Sequence, residues 1–201
     1  MSALAELYRR IDACKDCEEL AGTRTKVVPG EGPEKPQIVF IGEAPGFHED
    51  QQGRPFVGQA GQFLEQLLKS IGLKRSDVYI CNVIKCRPPE NRDPLPMEIK
   101  NCQKWLDRQL ELLSPRMVVT LGRYSLARFF PGETISRAHG KARKQDNVIY
   151  FAMYHPAAAL HQQSLRQTIE ADMLKIPSLL AQAEEVKEEK EESKPQQLSF
   201  F

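Results

Sequence analysis

The apolar run Gln37-Ile38-Val39-Phe40-Ile41 breaks directly into Gly42-Glu43-Ala44-Pro45-Gly46, with Glu49-Asp50 close behind. A buried strand that empties into a Gly/Pro loop carrying a carboxylate is how open α/β sheets present a site, at the carboxyl ends of their strands. Two glycines let the backbone approach a flat ligand, and Pro45 sets the turn. The motif predicts a pocket and leaves its ligand open.

Three further strand-like segments, 78–84, 116–121 and 148–154, are rich in β-branched and aromatic residues. Helical patterns lie between them at 58–71, 95–113 and 123–130, and Leu64, Leu67, Leu68 and Ile71 recur at core-packing spacing. Strands alternating with helices predict a parallel sheet with helices on both faces. A short helix at 3–13 precedes this array, and a last one at 165–183 follows it, where Pro177 should bend or interrupt the run. At 201 residues the chain is long enough for one core plus appendages. No stretch approaches the roughly 20 apolar residues that span a bilayer. Met1 to Arg10 lacks the apolar core of a secretory signal. A cytoplasmic monomer without a membrane partner is expected.

The net charge of +1 hides an asymmetry, with −3 from Gln182 onward and +4 before it. A mildly basic body is compatible with phosphate contacts without requiring them. Residues 184–195 are almost all Glu and Lys and cannot bury enough surface to join a core, so they read as a charged tether. That tether ends in Gln197-Leu198-Ser199-Phe200-Phe201, an apolar cluster that a frayed tail has no reason to carry.

Cys14-Lys15-Asp16-Cys17 forms a Cys-x-x-Cys pair, while Cys86 and Cys102 stand apart. Clustered cysteines in a cytoplasmic chain point to metal or redox chemistry rather than disulfides. A zinc ribbon would carry two close pairs, and here the second is widely split. Four thiolates from three segments suit a cubane iron–sulfur cluster at least as well. Spacing leaves the two metals open. A thioredoxin-like role fits poorly, because the pair precedes the first strand. Cys81, inside a strand pattern, reads as a small buried hydrophobe.

Three more residues sit where strand ends should meet the first loop. Asn82 closes the second strand with an amide that both donates and accepts. His155, in Tyr154-His155-Pro156-Ala157-Ala158, follows the fourth, and Phe56, in Arg54-Pro55-Phe56-Val57-Gly58, adds an aromatic face. Each alone has an ordinary structural explanation. Jointly they describe a cavity with a flat plate, an amide reader, an acid and an imidazole, which suits a planar heterocycle.

These residues resemble those of family 4 uracil-DNA glycosylases, the iron–sulfur branch of that superfamily. The resemblance runs from about Cys14 to Leu160. It covers the Cys-x-x-Cys pair, Gly-Glu-Ala-Pro-Gly with Glu49-Asp50, Gly-Arg-Pro-Phe-Val-Gly, Asn82 ahead of Cys86-Arg87-Pro88-Pro89, Cys102 and His155-Pro156-Ala157-Ala158. It implies a three-layer α/β/α sandwich around a four-stranded parallel sheet within residues 1–183. It also implies a [4Fe–4S] cluster on Cys14, Cys17, Cys86 and Cys102, and uracil-containing DNA, single- or double-stranded, as substrate. Gly42 would admit the base, Phe56 would stack on it and Asn82 would pair with its N3–H and O4. His155 would stabilise the departing uracil anion at O2, and Glu43 would serve the water and the sugar cation.

The chain departs from family 1 enzymes, which resemble it but carry Asp and Tyr where Ala44 and Gly46 stand, so Glu49 is the candidate guard against thymine. It also lacks the Lys-Arg-Arg-Ile-His loop of a covalently trapping branch, so turnover is expected, and no motif places a lysine for a lyase step. Arg137, His139 and Lys141 form a basic loop that would face phosphate, and Leu160 is a candidate wedge for the vacated base stack. Residues 196–201 resemble the bacterial sliding-clamp peptide, on a tether that would keep the domain near DNA. A bacterial enzyme working at the nucleoid follows. The competing class is a catalytically silent cluster- or zinc-bearing adaptor recruited through that peptide; it would release no uracil.

Overall fold

The computed structural model describes residues 2–182. Ser2 caps the first helix, α1 (Ala3–Asp12), by accepting from the Ala5 N–H at 3.2 Å, and Leu4, Leu7 and Ile11 form its buried stripe. A short α2 (Glu18–Thr23) follows, and the first strand is β1 (Ile38–Gly42). The Gly/Pro loop then enters α3 (Phe47–Gln52) and α4 (Gln59–Ser70), which buries Phe63, Leu64, Leu67 and Leu68. Next come β2 (Tyr79–Asn82), α5 (Pro96–Leu113) and β3 (Met117–Leu121). They are followed by α6 (Arg123–Phe129), α7 (Ile135–Ala138), β4 (Ala142–Gln145) and β5 (Val148–Met153). The described chain closes with α8 (Ala158–His161), α9 (Ser164–Met173) and a helix over 176–182. The expected last helix is indeed interrupted: a turn at Leu174-Lys175 separates the two pieces, and Pro177 lies in the opening turn of the second, where its missing N–H costs nothing.

The strands form one sheet in the order β2-β1-β3-β5-β4. Four strands are parallel, as the resemblance implies. The fifth, β4, is a correction to the four-stranded expectation: it runs antiparallel to β5, and all four of its residues are exposed. Its sequence, Ala-Arg-Lys-Gln, lacks any apolar alternation because neither face is covered, so no strand signal was available.

Alternation along β1 sends Ile38 and Phe40 to one face of the sheet and Val39 and Ile41 to the other. The first pair packs with α4 and α9 through Leu64, Leu68, Ile169 and Met173. The second packs with α1 and α5 through Leu7, Ile11, Trp105 and Leu106. This is an α/β/α sandwich. Parallel register sets all the carboxyl ends on one edge, with Gly42 opposite Asn82 and Leu121 opposite Met153. Among the described residues, no helix is long and apolar enough to cross a membrane.

Candidate active site and four-cysteine cavity

Pairing of β1 with β2 places Gly42 against Asn82, and the loop from α3 lays Phe56 across both. A Cβ on Gly42 would lie 2.5 Å from Asn82 Oδ1 and 2.6 Å from Phe56 Cζ, so only glycine allows this approach. Asn82 is 2% exposed, and its Oδ1 has no hydrogen-bond partner. A buried amide oxygen left unpaired costs about 1–3 kcal/mol, which an incoming N–H would recover. Phe56 takes a left-handed φ of 52°. Arg75 holds that turn by donating to the Phe56 carbonyl at 2.9 Å, and Gly61 leaves room for it, since a Cβ there would meet the same carbonyl.

The ring of Phe56 stacks on the ring of His155, 5.4 Å away and tilted by 26°. Phe56 therefore joins the carboxamide and the imidazole on one side of the molecule. The Ala157 N–H donates to His155 Nδ1 at 3.1 Å, so the imidazole proton sits on Nε2, leaving that atom as a donor. Burial lowers the His155 pKa to about 4, with the Glu49 charge opposing the shift. Near neutral pH the ring is uncharged. Glu43, Pro45, Asn91 and Arg92 share a cleft with His155. Burial raises the Glu43 carboxyl above its ordinary value, Asp93 adds to the rise and Arg123 opposes it.

Glu49 stands beside the loop that carries Phe56. Its Oε2 accepts from the Gly46 N–H at 3.1 Å, and its Oε1 accepts from Val57 and Gly58 at 2.8 and 2.9 Å. Both oxygens thus accept from the backbone of the loop that carries Phe56. Asp50, 1% exposed, likewise accepts from the Thr25 N–H at 2.9 Å.

Cys14, Cys17, Cys86 and Cys102 line a single cavity, brought there by the turn after α1, the start of α2, the loop after β2 and α5. Arg24 donates to Cys86 Sγ at 3.1 Å, and Asn101 approaches Cys17 Sγ at 3.7 Å. Trp105 Nε1, buried in the same wall, has no acceptor. The cavity thus combines four sulfurs with donors aimed at sulfur and one N–H awaiting an acceptor. Burial pushes the Cys17 and Cys86 thiols up, and Cys102 up to about 12, so thiolates here need a cationic partner. Among the described residues, no three His, Cys, Asp or Glu side chains come close enough to hold one metal ion. Cys81 is fully buried inside β2, as read from its pattern.

Arg137 and Lys141 are exposed, but the segment is less of a loop than expected, since 135–138 form α7. His139 Nδ1–H donates to Asp172 Oδ2 at 2.8 Å, and the ring lies 4.7 Å from the Tyr154 ring. Leu160 is 47% exposed on α8, just beyond His155. The tether and Gln197-Leu198-Ser199-Phe200-Phe201 lie outside the described residues. The sequence reading missed Arg24, Lys85, Asn101 and Trp105 around the cysteines, because no spacing rule marks a neighbour in space.

A sequence model of the Uracil DNA glycosylase superfamily matches residues 29–176. The chain is 47% identical to the type-4 uracil-DNA glycosylase of Archaeoglobus fulgidus, over 89% of this chain and 94% of that one. It is 47% identical to the type-4 enzyme of Sulfurisphaera tokodaii, over 89% and 86% of the two chains. The type-4 enzyme of Thermotoga maritima is 41% identical, over 85% and 91%. Together with an α/β/α sheet whose strand tips gather Gly42, Asn82, Phe56 and His155, these matches show that the chain belongs to the uracil-DNA glycosylase superfamily, among its type-4 members.

Proposed function

We propose that this protein excises uracil from DNA by hydrolysing the N-glycosidic bond, leaving an abasic site for repair. The observation that carries the reading is the unpartnered Asn82 Oδ1, buried beside Phe56. Uracil presents N3–H and O4, a donor and an acceptor, which match the Asn82 oxygen and NH₂. Cytosine presents an acceptor and a donor there, and would leave the buried amide unpaired twice over. Because the bond is out of reach within a duplex, the nucleotide must be extruded, at a cost of a few kcal/mol. Leu160 fills the vacated stack, and Arg137, His139 and Lys141 hold nearby phosphate.

Bond cleavage leaves negative charge on the uracil ring. His155, neutral and with its proton on Nε2, donates to O2 as that charge develops, and one such donor is worth about 2.7–4 kcal/mol. Glu43, ionised, faces the oxocarbenium-like sugar and accepts a proton from the attacking water. Cys14, Cys17, Cys86 and Cys102 would hold a [4Fe–4S] cluster; the unpartnered Trp105 N–H and the donors on Cys17 and Cys86 support that fit. When bound, the cluster would clasp three separated chain segments through iron–thiolate bonds. The terminal peptide resembles the bacterial sliding-clamp pattern and would recruit the domain to DNA in the cytoplasm.

Cleavage of a uracil-containing oligonucleotide tests this reading. His155→Ala should slow release by about 10²–10³-fold, and Asn82→Ala should likewise lose uracil release, with fold and cysteine cavity intact. Full activity in either variant overturns the assignment.

A further inference from the structure

Among the described residues, Phe47 is the one phenylalanine, tyrosine or tryptophan more than half exposed, at 51%. It opens α3, directly after Gly46 of the Gly/Pro loop. The Arg87 guanidinium lies over its ring, 5.1 Å from the centroid, and the His48 ring meets it edge-on at 5.6 Å. Gly46 and Pro88, the chain neighbours of Phe47 and Arg87, line the cleft that holds Glu43 and His155. The pair therefore stands on the rim of that cleft, where the proposed chemistry gives it no task.

Scattered exposed aliphatic side chains such as Met97 and Leu174 are ordinary surface. A ring held open under a cation is a different feature. Arg87 Nε donates to Asn91 Oδ1 at 2.7 Å, which fixes the guanidinium in place. Glu90 and Asn91 carry left-handed φ of 53° and 55°, a conformation that non-glycine residues keep only where the surroundings over-determine it. Among the described residues, no carboxylate lies within ion-pair distance of Arg87; Glu98 pairs with Arg92, and Asp93 with Arg123. Its charge is thus open to a phosphate, while the ring offers a flat apolar face. An aromatic face beside an uncompensated cation is how proteins hold single-stranded nucleic acid, because every base has a π-face and every nucleotide a charge.

A nucleotide that leaves the stack uncovers the base next to it. In a duplex that neighbour stays paired, whereas in a single strand it is free to turn onto the rim. We propose that Phe47, backed by Arg87, is a stacking platform for the base next to the extruded uracil in single-stranded DNA. This rests on the uracil-excision reading, which places the extruded base in the adjoining cleft.

The test is equilibrium binding of the full-length protein to fluorescent single strands that carry one 2′-fluorinated deoxyuridine, whose electron-poor sugar resists cleavage. Phe47→Ala should weaken binding about 5–150-fold, the range for losing one base–aromatic stack. Replacing the bases on either side of the uridine by abasic spacers should weaken the parent by a similar factor. On the spacer strand Phe47→Ala should then add little, because the same contact cannot be lost twice. Annealing the strand to its complement should also shrink the Phe47→Ala effect. Phe47→Leu keeps an apolar side chain without the π-face and should bind as weakly as Phe47→Ala; it decides in its place should Phe47→Ala fail to fold. Parent-like binding by either variant, or a Phe47→Ala loss that persists in full on the spacer strand, overturns the platform. An equal loss on the duplex overturns the single-strand assignment. A parent that releases no uracil from the unmodified strand sinks the excision reading, while the spacer comparison still decides whether Phe47 holds a base.

Discussion

At the residue scale, two groups of opposite character meet in the cleft. Glu43 is an acid whose burial keeps it protonated to higher pH than usual, and His155 is a base whose burial keeps it neutral down to about pH 4. If Glu43 must be ionised to serve water and sugar, activity rises with pH through its elevated pKa, above the ordinary 4.5. His155 is already neutral across that limb. The pH profile of kcat should therefore show one acidic limb that Glu43→Gln flattens, with no His155 titration between pH 5 and 9 (values roughly spanning the ordinary working range). Stability carries the complementary sign. The unfolded chain protonates His155 near 6.5 while the folded chain resists until about 4, so unfolded molecules bind more protons between those values. Melting temperature should then fall as pH drops through that window, and His155→Gln should remove part of the fall. An unchanged slope would mean that the imidazole is not held neutral by its site.

At the element scale, the loop between β1 and α4 is organised by one side chain. Glu49 gathers three backbone N–H groups from Gly46, Val57 and Gly58, and so closes the segment on which Phe56 adopts its left-handed conformation. Glu49→Ala leaves those donors to water or to nothing, and should cost about 1–3 kcal/mol of stability. Amide hydrogen exchange at Val57 and Gly58 should accelerate, and kcat should fall about 10–100-fold through misplacement of Phe56. If exchange at these amides is unaltered, the loop is held by something else. Glu49→Gln, which still accepts through one oxygen, should recover part of both effects.

At the scale of the whole molecule, the sheet separates two jobs. One edge gathers the strand tips that form the base pocket, while the α1/α5 face holds the four cysteines, so chemistry and clasp occupy different parts of one fold. In the proposed reading, residues 196–201 would add a third job, recruitment to a sliding clamp. Removing residues 196–201 should abolish binding to a bacterial sliding clamp and leave uracil release from free oligonucleotides unchanged. Binding that survives the deletion would end the clamp reading.

Much of this protein was legible in one dimension. Continuous apolar strands, helical spacing and Gly/Pro stops are local consequences of burial on two faces and of backbone sterics, so the four parallel strands and the flanking helices follow from the residues themselves. Asn82, Phe56 and His155 were legible because strand ends in such sheets share an edge. The fifth strand was not, since an exposed edge imposes no apolar pattern. Nor was the work of Glu49: a motif position says that a carboxylate is wanted, and only folded geometry says whether its oxygens meet a ligand or the backbone. Arg24 belongs to the same class, because its partner Cys86 lies across the cavity rather than nearby along the chain. Local pattern determines which elements form; which side chains then share a buried space is decided by tertiary packing, through contacts between residues far apart in the chain.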